Sequence, residues 1–247
     1  MTITSQRHER VDCAYSHRGF QSQEGAERAK PEDRRVSVGS DTRADFILPL
    51  VQGPDVLDLG CGAHVPEPGA PYWLHGRLRE KFPAVVGVDL NRESVEKLRA
   101  LGFDNLHVGN AEDIRLDCRF NTIVAGELIE HLSNPGLFLE SAQAHLAPGG
   151  QIILTTPYVF CLLGFVYAFF KYPNTCQNPE HTIYFCPASL QELASRAHLK
   201  VVHWELIGIY GSHDPSPMYR LFVRLIRMFK WSLPKRLWCN AMLFVLA

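Results

Sequence analysis

Val56-Leu57-Asp58-Leu59-Gly60-Cys61-Gly62 constrains this chain more than any other stretch. An apolar strand runs into a turn with two glycines, where the missing side chains let a ligand approach the backbone closely. About 27 residues on, Val86-Gly87-Val88-Asp89-Leu90 ends a second strand in a carboxylate, placed to accept both hydroxyls of a ribose. A nicotinamide-binding chain shares this outline, but two features argue against one. Val65 stands where a third glycine would be needed, and Asp58 lies two residues before the first glycine. An acid there suits an ammonium or sulfonium cation and repels a pyrophosphate.

From Asp55 onward short apolar strands alternate with helical segments, the pattern of a parallel sheet covered by helices on both faces. Strands are expected at 55–59, 85–89, 105–108, 120–125, 150–155 and 201–209. Helical spacing marks 74–82, 92–101, 135–146 and 187–197, the last two opening with a proline in the first turn. Leu146-Ala147-Pro148-Gly149-Gly150 stops one helix and turns into the next strand, and Asn240–Leu246 is apolar enough for a buried final strand. Residues 1–40 are rich in Arg, Glu, Gln and Ser and carry few spaced apolar residues, so a loose extension is expected there, with 41–247 as the folded domain. A helix capping the substrate is the functional alternative for the extension.

The 247 residues are 46% hydrophobic, and 25 Lys and Arg stand against 26 Asp and Glu, a formal charge of −1. That is enough apolar material for a substantial core and gives no bulk charge for holding nucleic acid. Seven cysteines without a C-x-x-C pair, and no apolar leader behind Met1, suggest a reducing, cytoplasmic setting. The most apolar stretch, 158–170, is about 13 residues against the roughly 20 a spanning helix needs.

Five blocks in order give the chain a resemblance to the class I S-adenosylmethionine-dependent methyltransferases, in the branch similar to ubiquinone-biosynthesis O-methyltransferases. They are the glycine strand at 56–62, Gly87-Val88-Asp89, Gly109-Asn110-Ala111-Glu112-Asp113, the run from Phe120 to Leu132, and Leu146–Gly150 before a strand ending Thr155-Thr156-Pro157. The resemblance covers about 54–208. It implies an α/β, doubly wound, seven-stranded and mostly parallel sheet, a Rossmann-like methyltransferase fold whose last strand runs antiparallel. It further implies that Asp58, Gly60, Cys61 and Gly62 line the methionine end of the cofactor and Asp89 holds the ribose. Asn110 and Ala111 then meet the adenine, Leu90 also belongs to the cofactor site, and Gly126 and Glu127 lie near the reactive methyl. The segment Ala63–Pro71 departs from the family by its length and prolines, and Asn110 replaces a common Asp. A protein that binds S-adenosylmethionine as a noncatalytic regulator or partner is the alternative to an enzyme.

Glu127-x-x-Glu130-His131 is the constellation with chemistry in it. On a helix, residues at i, i+3 and i+4 share one face, so both carboxylates and the imidazole would converge. His181 follows the segment expected to form a variable lid, 157–180, and would supply a fourth group. The set resembles the metal site of small-RNA 2′-O-methyltransferases. It gives Glu127, Glu130, His131 and His181 as ligands of Mg²⁺ or Mn²⁺, with His131, His181 and Glu127 as the catalytic candidates. Helix capping and packing under the lid remain the alternative roles. The lid aromatics Tyr158, Phe160, Phe165, Tyr167, Phe169, Phe170 and Tyr172 would either wall an apolar acceptor pocket or pack on the sheet edge. The acceptor is expected to be a small molecule, a lipid-like compound or a glycan precursor.

Residues 218–247 hold six Lys and Arg and no Asp or Glu, leaving a charge of −7 for the rest. Arg220, Arg224, Arg227 and Lys230 recur at helical spacing among Leu221, Phe222, Leu225, Ile226, Met228 and Phe229. A basic amphipathic helix over 216–232 is expected. Its contact, through 218–230, is either with an anionic inner membrane surface or with the sheet itself.

Overall fold

β1 (Val56–Leu59) is buried at every residue because it lies in the middle of the sheet, with β2 (Val86–Asp89) on one side and β4 (Phe120–Gly126) on the other, both parallel to it. A computed structural model of the chain describes residues 42–62, 72–162, 164, 165, 169, 178–209, 224, 225, 228, 229 and 232–247. β3 (Leu106–Val108), β5 (Leu146–Pro157), β6 (Val201–Ile207) and β7 (Ala241–Leu246) complete seven strands in the order β3-β2-β1-β4-β5-β7-β6. β7 inserts antiparallel between β5 and β6, and its continuous apolar run Ala-Met-Leu-Phe-Val-Leu is buried throughout, as a strand covered on both faces requires.

Alternation along the strands divides the core into two layers. Leu57, Leu59, Ile123, Ile152, Leu154 and Phe244 face α4 (Pro135–Ala144) and α5 (Pro187–Arg196). Val56, Val124, Ile153 and Val245 face α1 (Arg43–Ile47) and α2 (Leu74–Lys81). α3 (Arg92–Ala100) crosses from β2 to β3, capped by the Asn91 carboxamide, which accepts from the Ser94 N–H. A single turn, α6 (Lys235–Trp238), leads into β7.

Three expectations need correcting. β5 begins at Leu146 rather than Gly150: Leu146 is already in register with Phe120, and an irregularity in the ladder absorbs the Pro-Gly-Gly turn. α1 lies where no element is expected, since five residues are too few for a helical period to register. It is held by Asp45, which accepts from the Thr42 N–H and hydroxyl. Cys118 is disulfide-bonded, against the fully reduced reading, whereas Cys61 and Cys186 are free thiols. The extension at 1–40 lies outside the described residues, as do most of the basic segment 216–232 and much of the lid. No described helix is long and apolar enough to cross a membrane.

Phe244 is fully buried in β7 and stacks on Trp204 of β6 with 6.2 Å between ring centroids. Phe244→Ala is expected to cost about 3–5 kcal/mol through lost burial and the cavity left behind. Urea denaturation measures this as a lower midpoint at unchanged slope.

Candidate active site

The glycine turn is tied to the neighbouring strand at each step. Gly60 takes φ +79°, and its N–H donates to the Val88 carbonyl at 2.8 Å. The Gly62 N–H donates to Asp89 Oδ2 at 2.7 Å, while Asp89 Oδ1 accepts from the Asn91 N–H at 2.8 Å. A Cβ on Gly62 would sit 2.8 Å from the Ser94 Cβ and 3.1 Å from the Asp89 carboxyl, so only glycine leaves this cradle open. Leu90, next in line, is exposed. Asn110 is also exposed and its side-chain oxygen accepts from the Glu112 N–H, which fixes the short loop that buries Ala111.

At the carboxyl end of β4 the chain turns at Glu127, a non-glycine residue with φ +52°. The Arg43 guanidinium donates to the Glu127 carboxylate and, at 3.3 Å, to the Gly126 carbonyl. Sequence reasoning missed Arg43; its one sequence signal was Thr42 three residues before Asp45, a helix-start pattern. Glu127 is not on a helix with its neighbours. Only Ile129–His131 is helical, as a single 3₁₀ turn, so the convergence expected of Glu127, Glu130 and His131 is partial.

What the structure does gather is Glu130, His131 and His181, whose candidate ligand atoms all lie within 4.8 Å of one another. The Thr182 N–H donates to the Glu130 carbonyl at 2.8 Å, and its hydroxyl donates to the Leu132 carbonyl at 2.8 Å. That clasp brings His181 against His131, edge to face, with 4.6 Å between ring centroids. The Glu127 carboxylate remains close enough to act through its charge, but its hydrogen bond is to Arg43. Glu130 is fully buried, and among the described residues no well-formed hydrogen bond reaches either carboxyl oxygen, although the Thr156 hydroxyl and the Glu130 N–H stand close enough to favour its ionised form; His181 Nδ1 is likewise buried without a partner among them. Burial, with the Glu127 charge adding to it, pushes the Glu130 carboxyl up to about 8. Burial also lowers the His181 imidazole below its ordinary value, with His131 acting in the same direction.

Residues 32–204 match a family described as a methyltransferase domain. The chain belongs to that family. It is 31% identical over 119 residues to a ubiquinone biosynthesis O-methyltransferase of Nitrobacter winogradskyi, an alignment covering 44% of this chain and only 41% of that relative. A protein of the same name from Dechloromonas aromatica is 25% identical over 194 residues, 70% of this chain and 75% of that one. Among solved structures, a SAM-dependent methyltransferase from Archaeoglobus fulgidus superposes with a TM-score of 0.56 at 16% identity, covering 83% of this chain and 90% of that one. The protein is thus a class I S-adenosylmethionine-dependent methyltransferase with the expected Rossmann-like sheet.

Glu130 gives this methyltransferase a pH-dependent stability. Between its ordinary value of 4.5 and about 8, the unfolded chain releases this proton while the folded chain keeps it. Stability then falls as pH rises through that window, by up to about 1.4 kcal/mol per unit, and levels off above it. Glu130→Gln, which cannot ionise, is expected to gain steadily on the wild type from pH 5 to 8 in urea denaturation. Parallel curves would contradict the assignment.

Proposed function

We propose that the enzyme moves the sulfonium methyl of S-adenosylmethionine to a hydroxyl oxygen of a small-molecule, lipid-like or glycan-precursor acceptor. The observation that carries this is the fully buried Glu130 carboxyl gathered with His131 and His181, their candidate ligand atoms within 4.8 Å of one another, one turn beyond the end of β4. A neutral amine needs no such group, whereas a hydroxyl must lose its proton as it attacks. The names of the two relatives, both O-methyltransferases, point the same way.

In this proposal Asp58, Gly60, Cys61 and Gly62 line the methionine end of the donor and Asp89 accepts from the ribose. Leu90, Asn110 and Ala111 enclose the adenine, and the methyl lies toward Gly126. The acceptor oxygen must stand in line with the methyl–sulfur bond. Alignment of this kind supplies up to ~7–11 kcal/mol, and a base removing the proton typically adds ~10²–10⁴ in rate. His131 and His181 are the bases within reach; His181, with its basicity lowered by burial, is neutral and ready to accept a proton at pH 7. Glu127, held by Arg43, is an orienting residue.

The donor set also fits a hard divalent cation, because one buried carboxyl and two imidazoles bring three candidate ligand atoms within 4.8 Å of one another. Glu130, His131 and His181 would hold it, with Glu127 the nearest further carboxylate. Mg²⁺ or Mn²⁺ bound there would act as a Lewis acid that lowers the pKa of the acceptor hydroxyl. Incubating the enzyme with methyl-labelled S-adenosylmethionine and a lipid-and-metabolite extract, with mass spectrometry of the products, tests the reading. Label on oxygen is expected, lost on chelation and restored by Mg²⁺ or Mn²⁺. Label on nitrogen alone overturns the acceptor class, and full turnover after exhaustive chelation removes the cation and leaves the histidine base.

Peripheral contact with an anionic membrane belongs to the same proposal. The connection after β5 exposes Phe160, Leu162, Phe165 and Phe169; the connection before β7 exposes Leu225, Met228 and Phe229 with Arg224. Pro157 pairs with Ala241, so both connections leave the same edge of the sheet. Each Lys or Arg near an anionic surface contributes about 1 kcal/mol. Co-sedimentation with phosphatidylglycerol-containing vesicles is expected at low salt. It should be weakened at high salt and by changing Arg220, Arg224, Arg227 and Lys230 to Gln; no binding at low salt removes this contact.

A further inference from the structure

We infer that His75 is a positioning residue for cofactor binding, holding the Asp58 side chain as a carboxylate aimed at the cationic end of the donor. The inference rests on the proposed place of Asp58 at the methionine end. Both side chains are almost completely buried, and His75 Nδ1 lies 3.0 Å from Asp58 Oδ2. They come from different elements, β1 and α2, separated in sequence by the long segment at 63–71.

The surroundings determine the charge of the pair. The imidazole edge away from Asp58 meets apolar material: Trp73 and Phe103 lie with ring centroids 5.7 and 6.3 Å from His75. A Cβ added to Gly87 would fall 2.6 Å from Leu106 Cδ2, 2.8 Å from Cys61 Sγ and 2.9 Å from His75 Cε1. The glycine in β2 therefore makes room for this ring. His75 Nε2 is buried there without a partner. A doubly protonated ring would bury an N–H⁺ with nothing to accept from it, the costlier arrangement. The neutral ring with its proton on Nδ1 donates to Asp58 and leaves only a bare lone pair in the apolar pocket. In that form the pair carries one negative charge, on Asp58, where the hydrogen bond from His75 works against the burial that pushes this carboxyl above its ordinary value.

Without the imidazole that charge has little to sustain it. The charged groups facing Asp58 are His75 from α2, Asp89 from β2 and Arg43 from α1, with the Cys61 thiol close by. Burial and Asp89 both favour the protonated acid, and only His75 donates a hydrogen bond to the carboxylate. α2 is itself anchored at this point, because the Trp73 indole N–H donates to the Cys61 carbonyl at 3.2 Å. The helix start that braces the glycine turn also delivers His75 beneath it.

The test compares two ligands of the full-length chain by calorimetry. S-adenosylhomocysteine carries the α-ammonium; 5′-methylthioadenosine has the same adenosine and lacks the amino-acid end. His75→Leu is expected to weaken S-adenosylhomocysteine by about tenfold or more, the scale of one hydrogen bond to a charged group. Methylthioadenosine should be held as before. The pH midpoint of S-adenosylhomocysteine affinity should move upward, because Asp58 must then ionise unaided. His75→Asn, whose amide reaches the Nδ1 position, should restore most of the loss. Should the leucine variant fail to fold, His75→Gln, with its amide toward the Nε2 side, carries the same comparison.

Unchanged S-adenosylhomocysteine affinity, or an equal loss of both ligands, overturns the role of His75. Asp58→Asn separates the two ideas. If it leaves S-adenosylhomocysteine affinity intact, Asp58 is not at the methionine end, and the site assignment falls rather than the His75 contact. If it reproduces the leucine variant and the two changes together cost no more than one, His75 acts through Asp58.

Discussion

The lacing of the glycine turn to the end of β2 is the constraint on which the remaining site geometry depends. Two backbone N–H groups at the tip of β1 have no strand partner of their own, and β2 satisfies them with one carbonyl and one carboxylate. That use of Asp89 fixes the turn before any ligand arrives. It also orients the carboxylate, since its other oxygen is held by the Asn91 N–H at the start of α3. A carboxylate has lone pairs left after these two bonds, so a structural role and a ligand role are compatible in one side chain. Substitution of Asp89 would therefore loosen the turn as well as remove a ligand contact.

Charge at the cofactor end follows from the same geometry. Asp58, Asp89 and Glu127 stand at the carboxyl ends of adjacent strands, and among the described residues Arg43 is the cation placed against them. Arg43 prevents the accumulated negative charge from working against the fold. It satisfies Glu127 at a backbone conformation, φ +52°, that a residue with a side chain adopts only when its surroundings hold it there.

Most of the scaffold was legible in the sequence because each central strand is a short apolar run ended by a glycine or an acid. The strand ends fall within a residue or two of expectation everywhere except β5. There the Pro-Gly-Gly turn signal was sound locally, but pairing with Phe120 extends the ladder through it. The cluster Glu130, His131 and His181 was also legible, since two members are adjacent in sequence and His181 follows a recognisable insertion. Glu127 was not, because periodicity assumes a regular helix, and a single left-handed residue breaks the phase between 127 and 130. His75 carried no local signal at all. Its partner lies 17 residues away across an irregular segment, and Gly87, which makes space for it, looks in sequence like any strand glycine.

The insertion of β7 between β5 and β6 decides where the two long connections leave the sheet. Because β7 runs antiparallel to both neighbours, the chain must leave β5 and β6 at one edge and re-enter β7 from that same edge. The two long connections, from Tyr158 to Cys186 and from Gly208 to Asn240, therefore start from the carboxyl ends of β5 and β6, and the second returns where Ala241 pairs with Pro157 and Ile207. Both connections also contribute to the layers around β1: Phe185 and Tyr158 pack in the cluster of Leu57 and Leu59, and Ile209 packs in that of Val56. In the proposed reading, acceptor choice rests on segments that also brace the sheet, so that a substitution at the buried Phe185 is felt in the layer around β1 as well as in the chain that carries His181.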